Sequence, residues 1–269
     1  MAKLFLSADI EGTCGIADWE ETEHGGFNYD YFSAQMTREV AACCDGVLKA
    51  DADAEILIRD AHDTARNLRP ELLPQLPNLR LYRGWGRDPY AMMSGLDESF
   101  DGALFTGYHS AVSWDGNPLS HTMNGRNICV TVNGEIMSEL MMNSLTAAMC
   151  GVPVLMVTGD EMLCDWFLSR VPRAQAVPVS HAIGKGSVSL MPAEACRRIR
   201  EAAQRAARQD HTGCLYPMPE RFTVEVTYQK PFDARGASWY PGVTRSDSRT
   251  VRFESSRWMD VLTFFHYCL

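Results

Sequence analysis

Two acidic residues, Asp9 and Glu11, lie two positions apart in the stretch 7–12, which follows an apolar segment, 3–6, near the start of the chain. The apolar segment predicts a buried strand, and side chains two apart on an extended chain point to the same side. Two carboxylates on one side repel each other unless a positive charge lies between them. The pair therefore indicates either a cation site or a helix N-cap, and the segment alone leaves both interpretations open.

Histidines follow two further predicted strands. The apolar segments 55–58 and 103–106 run into polar residues that include His62 and His109, respectively. A single histidine after a strand is usually a hydrogen-bonded structural group. However, the carboxyl ends of parallel strands meet at one edge of a sheet, where ligands bind in α/β folds. Two histidines that share this edge with a pair of carboxylates favour a metal site.

Glu139 is a further candidate ligand. It belongs to a predicted helix from about residue 136 to residue 149, and it lies on or beside the apolar, inward face of that helix. A buried ionised carboxylate is costly unless it is paired or binds a metal. The ordinary alternative is a glutamate at the border of this face whose side chain reaches solvent. By itself Glu139 would be interpreted in that way, and it is a candidate ligand only because the other candidates already indicate a metal site.

These candidates need a sheet to hold them. Apolar strands at 3–6, 55–58, 103–106 and 153–158 alternate with helical stretches. This alternation predicts an α/β fold, namely a three-layer, largely parallel sheet with helices on both faces. Asn-Gly pairs on both sides of residues 128–132 predict a β excursion between the last two strands.

The pattern changes in the last third of the chain. Residues 166–190 show few clear elements. Beyond them the pattern predicts a helix at 191–208, strands at 222–228 and 250–254, and a closing helix at 259–267. We therefore expect a metal-binding α/β catalytic domain at 1–165 and a smaller α+β C-terminal portion at 166–269 packed on it. The histidines of this portion lack partners at metal-ligand spacing and are interpreted as structural: His181, His211 and His266.

Composition narrows the classes of function. The chain of 269 residues has a formal net charge of −9 and no basic stripe interleaved with aromatics, which argues against a nucleic-acid partner. No apolar run reaches the roughly 20 residues of a membrane helix, and the N-terminal segment lacks the features of a signal peptide. Nine cysteines without a CxxC pair are typical of reduced thiols. We therefore expect a cytoplasmic protein without a membrane partner.

Five short motifs occur in one order along the chain: Ser-x-Asp-x-Glu-Gly at 7–12, Asp-x-His at 60–62, Gly-Ala-Leu-Phe-x-Gly-Tyr-His at 102–109, Ser-His-x-Met at 120–123 and Glu-Leu-x-x-Asn at 139–143. Together they resemble the DppA-type D-aminopeptidases, peptidase family M55. The resemblance extends from residue 3 to about residue 160, where Pro-Val-Leu-Met-Val-x-Gly-Asp stands at 153–160, and it is weaker beyond. No single motif is specific to this family, but five motifs in the same order make a chance similarity improbable.

The resemblance implies a binuclear zinc hydrolase with two Zn²⁺ ions per subunit, and other divalent ions also suit such ligands. The implied metal ligands are the side chains already selected at the sheet edge: Asp9, Glu11, His62, His109 and Glu139. Asp9 is the implied bridge between the metals. Three further residues match family positions near the centre and are expected to orient it: Tyr108, Asn143 and Asp160.

The catalytic histidine that the family implies corresponds to His121, in the loop after Ser113. An imidazole titrates near neutral pH, so His121 suits proton transfer or stabilisation of a developing oxyanion. The family resemblance also implies that His121 could itself be the nucleophile. The alternative nucleophile is a hydroxide activated by the metal ions. Without the resemblance, His121 would be interpreted as a loop histidine satisfied by the backbone.

The implied activity is a D-stereospecific aminopeptidase that removes the N-terminal residue from short peptides such as D-Ala-D-Ala. The family further implies a homodecamer of two stacked five-membered rings. Trp114 and the aromatic segment 238–242 are candidates for narrowing the pocket. Two alternatives stay open. One is a binuclear hydrolase acting on another small amide or on an ester bond, and the other is a ring-forming protein that binds small peptides.

Overall fold

The computed structural model describes residues 2–269, whose strands are distributed over two sheets. The strands are β1 (Lys3–Ala8), β2 (Glu55–Asp60), β3 (Leu79–Tyr82), β4 (Gly102–Tyr108), β5 (Asn127–Val132), β6 (Glu135–Ile136), β7 (Val154–Asp160), β8 (Gln175–Ile183), β9 (Gly186–Ser189), β10 (Phe222–Tyr228), β11 (Thr244–Arg245) and β12 (Thr250–Ser255). The helices are α1 (Tyr29–Ala50), α2 (Glu139–Met149), α3 (Glu161–Arg170), α4 (Pro192–Arg208), α5 (Pro231–Ala237) and α6 (Trp258–Cys268). Within the described residues, no helix has both the length and the apolar character needed to cross a bilayer.

The larger sheet has the strand order β3-β2-β1-β4-β7-β8-β9. Neighbouring strands from β3 to β8 are parallel, and β9 pairs antiparallel with β8. Every residue of β4 and β7 is buried, because these central strands are covered on both faces. The predicted largely parallel sheet with helices packed on it is confirmed.

The path of the chain through this sheet reverses between β1 and β4. From β1 the chain passes through α1 to β2 on one side, and from β4 it passes through α2 to β7 on the other. Because parallel crossovers are right-handed, α1 and α2 cover opposite faces of the sheet. A crevice therefore opens beyond the carboxyl ends of β1 and β4. Asp9 and His109 lie directly after these two strands.

The smaller sheet is antiparallel and has the strand order β11-β12-β10-β5-β6. Buried and half-buried residues alternate along β10, which packs against α5 and α6. β5 and β6 come from before residue 165, whereas β8 and β9 come from after it and complete the larger sheet. The two sheets thus exchange strands across residue 165, and the division into domains at 1–165 and 166–269 stays a prediction.

The expectation that residues 166–190 contain few clear elements is wrong. This stretch holds the end of α3 and all of β8 and β9. β8 lies near the edge of the sheet and buries only some of its residues, so its sequence lacks the continuous apolar run that identifies a central strand. Pro178 within β8 also argues against a strand at the level of sequence, because proline is disfavoured in sheets.

Candidate metal centre

Glycine brings the loop after β1 against the end of β4. The amide of Gly12 donates to the carbonyl oxygen of Gly107 at 2.8 Å. A Cβ on Gly12 would lie 1.8 Å from the carbonyl oxygen of Tyr108, so only glycine permits this approach. The glycine that ends the Asp-x-Glu-Gly motif therefore holds the acidic pair of that motif beside His109, which follows β4.

The loop after β2, which carries His62, is held by a network of buried hydrogen bonds. The carboxylate of Asp60 accepts from the amides of Asn67 and Leu68, at 2.6 and 2.7 Å. The side-chain amide of Asn67 donates to the carbonyl oxygen of His62 at 2.6 Å, and the hydroxyl of Tyr29 donates to Asn67 Oδ1 at 2.8 Å. These bonds fix the position of His62. Sequence patterns gave no signal for Asn67, because its partners come from the folded loop and from α1.

Glu139 is the first residue of α2, so the helix predicted from about residue 136 begins three residues later. Ser138 caps the helix, with its hydroxyl accepting from the amide of Met141. Glu139 is buried, and its Oε1 accepts a hydrogen bond from the amide of Met123 at 2.7 Å. This bond links α2 to the loop that carries His121.

The structure brings all six predicted site residues into one cluster. The nitrogen-to-oxygen distances are: His62 Nδ1 to Glu11 Oε2 3.1 Å and to Asp9 Oδ1 3.4 Å, His109 Nε2 to Asp9 Oδ2 3.6 Å and to Glu139 Oε1 3.6 Å, and His121 Nε2 to Glu139 Oε1 3.4 Å and to Glu11 Oε1 3.8 Å. Three sets of residues have ligand atoms within 4.8 Å of one another: Asp9 with Glu11 and His62, Asp9 with His109 and Glu139, and Glu11 with His109 and His121. Asp9 belongs to two of these sets, as a bridging carboxylate would.

All three histidines are fixed in the same way. In each ring one nitrogen meets a backbone carbonyl: His62 Nε2 meets Thr22 O at 3.0 Å, His109 Nδ1 meets Ser110 O at 2.9 Å, and His121 Nδ1 meets Leu119 O at 2.9 Å. A carbonyl can only accept, so these nitrogens carry the proton, and in the neutral ring the other nitrogen presents a lone pair. Those lone pairs face carboxylate oxygens across the centre.

This arrangement fits a bound cation. Lone pairs that face carboxylates repel them, and several of the buried atoms concerned have no hydrogen-bond partner: Asp9 Oδ2, Glu11 Oε2 and His109 Nε2. Unpaired buried polar atoms are costly. Carboxylates and imidazoles whose second nitrogen is bonded to a carbonyl are typical ligands of zinc and similar metals. The donor set therefore fits divalent metal ions.

The pKa values also reflect this requirement for positive charge. Burial opposes a charged imidazole at His109, yet the nearby carboxylates, first that of Glu139, raise its pKa to about 10. Burial and the adjacent carboxylate of Glu11 raise the pKa of Asp9 well above its usual value. Without a metal ion, the cluster therefore takes up protons in its place.

His121 differs from the other two histidines in its surroundings. It is half-buried, its ring stacks on that of His109 with centroids 4.3 Å apart, and the edge of Trp19 packs on it at 5.0 Å. Burial and the positive charge at His109 lower the pKa of His121. A neutral imidazole that reaches the cavity can accept a proton near neutral pH.

The three residues expected to orient the centre lie directly behind it. The hydroxyl of Tyr108 is 2.7 Å from Ser7 Oγ and accepts from Asn143 Nδ2 at 2.9 Å. Asp160 accepts from both the amide and the hydroxyl of Ser110, each at 2.6 Å. Ser110 in turn supplies the carbonyl that fixes the ring of the preceding histidine, so Asp160 acts on the centre through one intermediate residue.

Five of the six clustered residues, all except His109, line a cavity of about 420 Å³. Its aromatic walls are Trp19 and Trp85, and the acidic side chains of Glu23 and Asp63 also line it. Neither Trp114 nor the segment 238–242 lines this cavity, because both pack elsewhere within the chain.

Trp85 is held by a buried cation that the sequence analysis missed. The Arg59 guanidinium lies between the rings of Tyr82 and Trp85, 4.4 and 4.6 Å from their centroids. The indole nitrogen of Trp85 also donates to the carbonyl oxygen of Asp63 at 2.6 Å. Gly84 and Gly86 on either side of Trp85 indicate a loop at this position, and this is the only local signal that the sequence offers for Trp85.

Comparisons with known proteins show which proteins this chain resembles. A family model described as D-aminopeptidase, peptidase family M55, matches residues 2–267. A D-aminopeptidase of Bacillus subtilis (strain 168) is 31% identical over 256 residues, which cover 94% of this chain and 91% of that protein. The solved structure of the Zn-dependent D-aminopeptidase DppA from Bacillus subtilis, a self-compartmentalizing protease, matches with a TM-score of 0.88 and 28% identity over 98% of this chain and 95% of that one.

Proposed function

Because the chain belongs to the M55 family of D-aminopeptidases, we propose that it is a metal-dependent aminopeptidase that removes an N-terminal D-residue from short peptides such as D-Ala-D-Ala. The observation that carries the proposal is the convergence of three carboxylates and three backbone-fixed histidines on one centre. The similar proteins described above are D-aminopeptidases, and one of them depends on zinc.

The proposed ligands of two zinc ions follow from the overlapping residue sets. Asp9, Glu11 and His62 would hold one ion, and Asp9, His109 and Glu139 the other, with Asp9 shared. When bound, two divalent cations act as Lewis acids that polarise the scissile carbonyl and acidify water. The backbone carbonyls of Thr22 and Ser110, which accept from the rings of His62 and His109, would then keep both rings in the ligand tautomer.

His121 is the proposed proton-transfer residue. Its Nδ1–H is bonded to Leu119 O, so Nε2 is the nitrogen free to accept a proton within the cavity. Burial of the ring lowers the pKa of His121, which favours the neutral form that can accept a proton. We assign it the removal of a proton from the attacking nucleophile and the return of that proton to the leaving amine.

The charge of the cavity supports an amino-terminal specificity. Bound metal ions would offset the carboxylates of the centre, but Glu23 and Asp63 also line the cavity, and no arginine or lysine is among its lining residues. Such a surface attracts the α-ammonium group of a peptide and repels a carboxylate. We therefore assign Glu23 and Asp63 to binding the substrate's free amino group.

Assembly and location are proposed on separate grounds. The structurally similar DppA is a self-compartmentalizing protease, so we propose that this chain also forms a homo-oligomer, with the homodecamer as the expected state. All nine cysteines are unpaired, which supports a reducing compartment such as the cytoplasm.

Metal analysis combined with a matched pair of substrates tests the function. Purified protein is loaded with zinc, its metal content is measured by mass spectrometry, and cleavage of D-Ala-D-Ala is compared with that of L-Ala-L-Ala. We expect about two zinc ions per chain and selective cleavage of the D-peptide. Metal without peptide cleavage would instead favour a hydrolase of another bond, and the absence of both would favour a peptide-binding protein.

A further inference from the structure

A second cavity, of about 430 Å³, lies beside the metal-centre cavity. Its lining residues are His24, Thr64, Arg66 and Arg83. His24 directly follows Glu23, and Thr64 directly follows Asp63, and both of these acidic residues line the first cavity. Adjacent Cα atoms are only about 3.8 Å apart, so the two cavities share a rim at both positions.

The two cavities have opposite charge. The first is lined by carboxylates, whereas basic side chains predominate in the second. Arg83 Nη2 donates to the backbone carbonyl of Arg66 at 3.5 Å, which holds the Arg83 side chain against the loop that carries Arg66. Among residues 2–269, no carboxylate lies within 4.0 Å of either guanidinium group.

Arg66 and Arg83 are exposed at the wall of this cavity and have no carboxylate partner in the described part of the chain, so their guanidinium groups are available to an anionic ligand. The guanidinium group is planar and matches a carboxylate through paired hydrogen bonds. Building on the proposed aminopeptidase function, we propose that the cavity lined by His24, Arg66 and Arg83 binds the terminal carboxylate of the peptide substrate. The ammonium end of the peptide then lies in the acidic cavity and its carboxylate end in the basic one.

The spacing of the two sites limits the length of the substrate. Arg66 is four residues after His62, and four residues of fully extended chain span at most about 14 Å. The intervening loop is shorter than that, because Asp63 and Ala65 have positive φ values of 42° and 54°. A peptide with up to about three residues beyond the cleaved bond fits within this limit. The substrates that could reach both sites are therefore short peptides with a free carboxyl terminus.

Paired acid and amide ligands test this site. The probe is a D-Ala-D-Ala-D-Ala analogue in which the first peptide bond is reduced to –CH2–NH–, prepared both as the free acid and as the C-terminal amide. Dissociation constants of the zinc-loaded protein are measured by calorimetry for the wild type and for the double variant Arg66→Ala/Arg83→Ala. We expect the double variant to bind the acid roughly 5- to 10-fold more weakly and the amide within about twofold of the wild type.

A matched double variant, Arg80→Ala/Arg221→Ala, removes two exposed arginines that line neither cavity. This variant should leave the ratio of the dissociation constants of the acid and the amide unchanged. Because it removes the same number of positive charges, it controls for the change in net charge. An unchanged ratio in Arg66→Ala/Arg83→Ala would overturn the carboxylate site. Because this binding assay requires no cleavage, its result is separate from the cleavage of D-Ala-D-Ala, on which the proposed function depends.

Discussion

Two regions of the molecule bury carboxylates, and they do so differently. In the metal centre, Asp9, Glu11 and Glu139 face imidazole nitrogens that present lone pairs. On α1, Glu39 is equally buried, but its Oε1 accepts from the amide of Cys14 and from the side chain of Gln35, each at 3.0 Å. Both regions contain a carboxylate oxygen without a hydrogen-bond partner.

The neighbours distinguish these two regions more clearly than burial does. At Glu39 the polar neighbours are donors, and a single proton on the carboxyl group relieves the cost of burial, which raises its pKa to about 7. In the centre the carboxylates are crowded together with fixed lone pairs, so positive charge must be held between them. A buried acid by itself therefore does not indicate a metal site. Several acids surrounding histidines that are bonded to backbone carbonyls do indicate one.

The largest effect is expected from Asp9→Asn, which keeps the size of the side chain and removes the charge shared by both ligand sets. We expect less than one zinc ion per chain and a loss of turnover of about 1,000-fold or more, because both ions depend on this carboxylate. Mass spectrometry of the dialysed protein gives the metal content, and D-Ala-D-Ala hydrolysis gives the turnover.

Glu39→Gln is the matched control for that variant, since it also replaces a buried carboxylate with an amide. It should keep both metal ions and near-normal turnover. If the two variants lost metal to the same extent, the distinction drawn between the two buried regions would be wrong.

His121→Ala should separate metal binding from catalysis. The ring belongs to one candidate ligand set but not to the two that share Asp9, so we expect the variant to keep its zinc. Turnover should fall by about 100- to 10,000-fold because a proton-transfer group is lost. His211→Ala, which removes a histidine bonded only to the carbonyl of Ala206, serves as the control. Near-normal turnover of His121→Ala would contradict the catalytic role, and loss of zinc would make His121 a ligand.

Asp160→Asn should have a smaller effect, because Asp160 acts on the centre only through Ser110. The amide that replaces Oδ1 or Oδ2 cannot accept both of the hydrogen bonds that Ser110 donates. We expect zinc affinity, measured by competition with a chelator, to fall by about 10- to 100-fold. A lower melting temperature with unchanged zinc affinity would show that Asp160 supports the fold alone.

The central sheet could be predicted from local patterns, because continuous apolar runs identify the strands that became β1, β2, β4 and β7. Polar residues after these strands, together with Glu139 on a helix, predicted five members of the cluster, whereas His121 was selected only by the family resemblance. Their roles as ligands and as proton-transfer residue stay predictions. What the sequence could not predict depends on contacts between distant segments. Arg59 beneath Trp85 and Asn67 bonded to Tyr29 are examples, and so is β8, which is only partly buried. The basic cavity beside the centre likewise combines residues from three separate loops.

The smallest effect on activity, and a distinct effect on stability, is expected from Glu39→Gln. The carboxyl group of Glu39 has a pKa of about 7 in the folded protein against a reference value of 4.5. Between these values the folded state binds more protons than the unfolded state, so the free energy of unfolding falls as the pH rises toward 7. Glutamine mimics the protonated form and avoids this loss.

The stability difference between Glu39→Gln and the wild type should therefore depend on pH. Below about pH 4.5 the two proteins should be nearly equal, and at pH 8 the variant should be more stable by up to about 3 kcal/mol, since one pKa unit corresponds to about 1.4 kcal/mol. Denaturant unfolding of both proteins across this range measures the difference, in which titration of the metal centre cancels because it is common to both. If the difference stayed constant with pH, the pKa of Glu39 would not be raised by folding, and its carboxyl group would be ionised at neutral pH although it is buried. Hydrogen bonds from donors such as Cys14 N would then be enough to stabilise a buried carboxylate without a proton or a metal ion.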